Sequence, residues 1–179
     1  MKKGLLIILF AFVSQLSAQR YMTRNAEVYF LSDKEAVEIV EAVNNQVGAV
    51  IDLTQGVLAF QIQMRAFHFD IALMEEHFNE NYVESEAYPK ATFRGVFVEL
   101  PSELSQQKEV VVKGVMDFHG VQKEMEIQVR LLMIAGALVG ESNFVISCSD
   151  FGIKIPKLVA DKLANEIQVS VKATLNKIQ

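Results

Sequence analysis

Large apolar residues recur at every second position through much of this chain. In Leu58-Ala59-Phe60-Gln61-Ile62-Gln63-Met64-Arg65 the even positions carry the large apolar groups, with Gln61, Gln63 and Arg65 between them. Met125-Glu126-Ile127-Gln128-Val129-Arg130-Leu131 repeats the pattern on odd positions, and Ile167-Gln168-Val169-Ser170-Val171-Lys172-Ala173-Thr174-Leu175 does so again. Successive side chains of an extended strand point to opposite faces, so this alternation predicts strands with one buried and one wet face. Weaker patterns predict strands over 26–31, 36–43, 49–53, 91–99, 109–118 and 138–149. About eight or nine strands at this spacing predict an all-β barrel or sandwich. His119-Gly120 stands between two alternating runs and reads as a tight hairpin, with Gly120 supplying a positive φ. Parallel strands need long crossovers that the chain does not provide, so the pairing is expected to be antiparallel.

Two segments depart from the alternation. Asp70 is placed to cap a helix whose apolar stripe is Ile71, Met74, Phe78 and Tyr82. Pro156 suits the first position of a second helix over 157–163. No linker, repeat or low-complexity tract divides the chain, which predicts one domain over 19–179.

Residues 1–18 read as a processing signal. Lys2 and Lys3 precede an uncharged apolar run from Leu5 to Val13, and Leu16-Ser17-Ala18 offers a small residue for cleavage. The run is shorter than the about 20 residues a membrane-spanning helix requires, and no stable membrane insertion is expected. Cleavage after Ala18 would leave 161 of the 179 residues and take the formal charge from −5 to −7, since the segment holds two lysines and no acid. An acidic, unclustered surface excludes the basic patch that nucleic acid demands. The expected location is the periplasm or the exterior. The single cysteine, Cys148, alternates with Phe144 and Ile146, which predicts a small buried thiol and no internal disulfide.

No catalytic arrangement emerges. The histidines are His68, His77 and His119, without an H-E-x-x-H pair, and one cysteine cannot build a thiolate zinc site. Glu75-Glu76-His77 reads as a solvated helix face, and His119 as a hydrogen-bonding turn residue rather than a base. G-x-S-x-G, G-x-G-x-x-G and a phosphate-binding loop are all missing from the sequence. The chain is therefore expected to be no enzyme and to need no metal or cofactor.

What remains is an apolar inner face. Alternation places Phe60, Ile62, Met64, Phe93, Phe97, Met116, Phe118, Phe144 and Ile146 on it. An eight-stranded barrel encloses either side chains alone or one small ligand, and alternation is satisfied by both. Flexible Met and flat Phe would suit a chain-like ligand.

Several short motifs carry a family resemblance: Tyr88-Pro89 with Ala91-Thr92-Phe93, then Val112-Lys113-Gly114, Phe118-His119-Gly120-Val121 with Lys123, and Ser149-Asp150-Phe151-Gly152-Ile153. In this order, spread over about residues 26–175, they resemble the YceI-like family of secreted polyisoprenoid-binding proteins. The resemblance implies a lipocalin-like antiparallel barrel of eight strands holding an isoprenoid or other long-chain lipid in a central cavity. It would make the nine inner residues a cavity lining, with Phe93 and Phe118 as ligand contacts. Gln122 stands where Thr is common in that turn, and segment 73–85 looks like a subgroup's elaboration near the cavity mouth. The alternative is an envelope stress or interaction module with a filled barrel, its partner surface on the 73–82 helix. The identity of the lipid and the oligomeric state, a homodimer included, stay open.

Overall fold

The computed structural model describes residues 19–32, 39–155 and 165–178. Residues 1–18, the helix expected over 157–163 and the start of the strand expected over 36–43 lie outside these. The described chain is built from eight strands: β1 (Arg20–Ser32), β2 (Val40–Asp52), β3 (Val57–Gln63), β4 (Lys90–Phe97), β5 (Lys108–Phe118), β6 (Val121–Ile134), β7 (Ala137–Ser147) and β8 (Glu166–Ile178). Each pairs antiparallel with the next, and β8 pairs with β1, closing a barrel in simple up-and-down order. The ladder is partial at two places: β6 meets β7 only over Val129–Ile134, and β2 meets β3 only over Gly48–Asp52.

The alternating residues lie where the pattern put them. On β3, Leu58, Phe60 and Ile62 face inward; on β6, Ile127, Val129 and Leu131; on β8, Val169, Val171, Ala173 and Leu175. The strands expected over 26–31 and 109–118 are longer than their alternation. The two expected over 36–43 and 49–53 are one continuous strand, β2, because a bulge at its middle changes which parity faces inward. Ala42 and Asn44 point in before it, and Val47, Ala49 and Ile51 after it. Asn44 is fully buried there, its Nδ2 donating to the Gln63 carbonyl (2.9 Å) and its Oδ1 accepting from the Gln46 amide (2.8 Å). A buried amide without those bonds would cost about 1–3 kcal/mol.

His119 and Gly120 form the β5–β6 turn with φ of 52° and 73°, the left-handed pair that a two-residue hairpin needs. Ala135-Gly136 makes the same turn between β6 and β7, with φ of 50° and 85°.

Between β3 and β4 the chain leaves the sheet. A 3-10 turn at Met64–Ala66 leads to an isolated bridge between Val43 and His68, then to α1 (Ala72–His77), which continues as a π-helical turn over Phe78–Tyr82. The helix differs from the expectation at its start. Ile71, not Asp70, occupies the cap position, and no side chain caps it. The extended backbone up to His68 delays the first turn, and Ile71 is left 48% exposed while Met74, Phe78 and Tyr82 turn toward the barrel.

Candidate functional site: an apolar cavity at one end of the barrel

Up-and-down order brings the last residues of β1, β3, β5 and β7 and the first residues of β2, β4 and β8 to the same end of the barrel. There they surround a half-open cavity of about 280 Å³. Segment 67–83 forms one wall of it. Nearly all lining groups are apolar; the polar ones are Ser32, His77, Tyr82 and the thiol of Cys148. The opposite end is filled by Ile51, Leu58, Phe97, Val112, Leu131, Leu138 and Leu175, all buried. The inner face is thus part core and part cavity.

Of the nine residues that alternation put on the inner face, Ile62, Met64, Met116, Phe118, Phe144 and Ile146 line this cavity. Phe60, Phe93 and Phe97 also belong to the interior, but one level or more deeper, packed within the filled part. The boundary follows the strand register. Ile62 pairs with Ala91 and both line the cavity, whereas the next inward pair, Phe60 with Phe93, does not. The ring of Phe93 lies over the paired glycines Gly95 and Gly114, so close that a Cβ on Gly114 would stand 2.7 Å from it. The missing side chains of those glycines give the ring its place.

Alternation did not reveal the aromatic wall. Phe30 stacks on Phe78 (5.6 Å between centroids) and meets Phe67 (5.4 Å) and Phe69 (5.8 Å) edge-on. Phe67 and Phe69 come from the irregular stretch after β3, and only the density of phenylalanine in Phe67-His68-Phe69 could have flagged them. His77, read as part of a solvated face, borders the cavity although its side chain is exposed.

Burial raises the Tyr82 phenol above its ordinary value and pushes the Cys148 thiol up to about 11. Both therefore stay neutral at physiological pH. Among the described residues there is no cluster of three His, Cys, Asp or Glu side chains able to hold a metal ion, and no helix long and apolar enough to cross a membrane.

Three of the motifs that carried the family resemblance meet beside the cavity, whereas Val112-Lys113-Gly114 lies toward the filled end. His119 Nδ1 donates to the Phe151 carbonyl (2.9 Å), and its Nε2 stands 3.0 Å from Glu84 Oε2. Lys123 pairs with Asp150, and the rings of Phe118 and Phe151 are 5.4 Å apart. Most of these groups bind one another; Phe118 and Ile153 also face the cavity. His119 thus ties three segments together, as a structural turn residue does.

A closed eight-stranded antiparallel barrel with an apolar cavity at one end belongs to the lipocalin-like class. The model of the YceI-like domain matches residues 22–175, and the chain belongs to that family. Among solved structures, a polyisoprenoid binding domain from Saccharophagus degradans, implicated in plant cell wall breakdown, superposes with a TM-score of 0.77 at 15% identity, covering 90% of this chain and 100% of that one. BcnA of Burkholderia cenocepacia gives 0.71 at 16% identity, covering 85% and 96%. A YCEI protein of Campylobacter jejuni gives 0.57 at 14% identity, covering both chains fully. At these identities the likeness is one of fold. No curated protein matches the sequence.

Proposed function

We propose that this is an exported lipid-binding protein that sequesters or carries an isoprenoid or similar amphiphile, tail first, in the barrel cavity. The observation that carries this reading is the lining: a half-open space of about 280 Å³ with almost no polar group in it. Water gains few partners in such a space, whereas each methylene moved into it contributes about 0.8 kcal/mol. The polar side chains that are present, His77 and Tyr82 on the helical wall and Ser32 at the end of β1, suit an uncharged or hydrogen-bonding head group. The polyisoprenoid binding domain among the structural neighbours supports an isoprenoid as the first ligand to try. Residues 1–18 support export to the periplasm or beyond. Binding, with no bond made or broken, accounts for the site.

A second reading takes the helix as a protein-docking surface, favoured by the exposure of Ile71 and Leu73 on its outer side. Native mass spectrometry of the purified protein, followed by solvent extraction, separates the two. A stoichiometric added mass that extracts as a prenyl or long-chain lipid supports the carrier. A bare mass, with no uptake of offered isoprenoids, removes it and favours the docking surface.

A further inference from the structure

We infer that the cavity reads only a short terminal length of its ligand's tail, and that Phe93 is the stop that sets this length. The inference rests on the lipid-binding reading and adds to it the size of the group recognised. The cavity, about 280 Å³, opens at one end of the barrel and is closed toward the other. A longer tail has nowhere further to go inside the barrel. The inward residues of β3 and β4 at the cavity level are Ile62 and Ala91, and the next pair toward the filled end is Phe60 and Phe93. Phe93 is 6% exposed, and its cross-strand partner Met116 is a lining residue, so the ring lies directly beneath the cavity. Gly95 and Gly114 leave it room; a Cβ on either would come within 3.0 Å of the ring. Beyond it the barrel is packed with Phe97, Val112 and Leu131. Close packing of that kind does not open for a chain end without a cavity or strain penalty.

The consequence is a break in chain-length dependence. Straight-chain 1-alkanols from about six to about sixteen carbons are set to displace N-phenyl-1-naphthylamine from the lipid-free protein. Affinity should rise by about fourfold per methylene until the tail end reaches Phe93, and then level off within the series. Phe93→Ala should move the break to longer chains, and Ala91→Leu, which adds bulk one level above the stop, should move it to shorter ones. Should Phe93→Ala fail to fold, the wild-type break and the Ala91→Leu shift decide the matter. A steady climb through sixteen carbons overturns the length limit while leaving lipid binding intact, and a folded Phe93→Ala protein with an unmoved break removes Phe93 as the stop. If no alkanol and no naphthylamine binds the folded, empty barrel, the lipid-binding reading itself fails, and this inference with it.

Discussion

The ring of Tyr88 lies 4.5 Å from the imidazole of His119, centroid to centroid, and the same ring covers Gly120. Residues from the segment before β4 and from the β5–β6 turn are thereby locked together, and His119 extends the lock to Phe151 and Glu84. The contact is close enough to exclude a methyl group, since a Cβ on Gly120 would stand 2.6 Å from Tyr88 Cε1.

Gly120→Ala should therefore destabilise the protein by more than about 1 kcal/mol, because it adds strain at φ +73° to the clash with Tyr88. His119→Ala should cost about 1–3 kcal/mol, since the Phe151 carbonyl loses its donor and Tyr88 its neighbour. Urea unfolding midpoints measure both. If His119 were instead a ligand or catalytic group, its loss would change ligand handling with the midpoint unmoved.

A carboxylate on the cavity wall should expel an apolar ligand. Phe118 lines the cavity, and Phe118→Asp is expected to lower the affinity for an apolar probe by at least about tenfold, since burying the charge is costly and keeping it hydrated holds water inside. Fluorescence titration of folded variant and parent reads this directly. Unchanged uptake would take Phe118 out of the site.

The turn after β2 makes stability sensitive to acid. Asp52 Oδ2 accepts from Arg20 Nε at 2.7 Å, and its Oδ1 accepts from the amides of Thr54 and Gln55, both at 2.9 Å. The Arg20 hydrogen bond first, then the Gln55 and Thr54 amides, hold the carboxyl below its ordinary range against the opposing effect of burial. A group whose folded pKa is depressed contributes stability above its unfolded value, and that contribution is lost as pH falls through the folded one. Thermal midpoints should therefore drop as pH goes below the usual carboxylate range, and Asp52→Asn should flatten that part of the profile. An equal slope in the variant would assign the acid sensitivity elsewhere.

Cys148 is buried, and its thiol is pushed up to about 11 by that burial. Alkylation by iodoacetamide at pH 8 should be slow in the folded protein and fast in urea, because the thiolate is the reacting species. The raised pKa favours the folded state below the unfolded value, and this contribution is lost as pH rises toward about 11. Since Cys148 lines the cavity, a bound lipid should slow alkylation further. Equal rates with and without bound lipid would place the ligand away from this wall.

Much of the fold was legible in the chain because strand alternation is a local property. Leu58, Phe60 and Ile62, or Ile127, Val129 and Leu131, announce an inward face whatever their neighbours do. The turn at His119-Gly120 was equally plain, since few sequences favour two positive φ values in succession. The bulge in β2 was not legible. It requires Asn44 to be satisfied by Gln63, a partner nineteen residues away, and without that partner the segment reads as two strands. Asp70 misled for a related reason: the bridge between Val43 and His68 holds the chain extended and shifts the helix start past it.

The sequence by itself determined which side of each strand is apolar, and hence an all-β barrel with an apolar interior. Tertiary structure alone decided how that interior divides. Alternation states whether a side chain points in, but depth along the barrel axis depends on how eight strands are staggered against one another and on what else enters the space. Phe93 and Phe118 look alike in the pattern, yet Phe93 rests on two glycines brought together by the β4–β5 register, while Phe118 stands at the open level beside Phe151. Packing between residues distant in sequence, which no local period encodes, made one of them core and the other cavity wall.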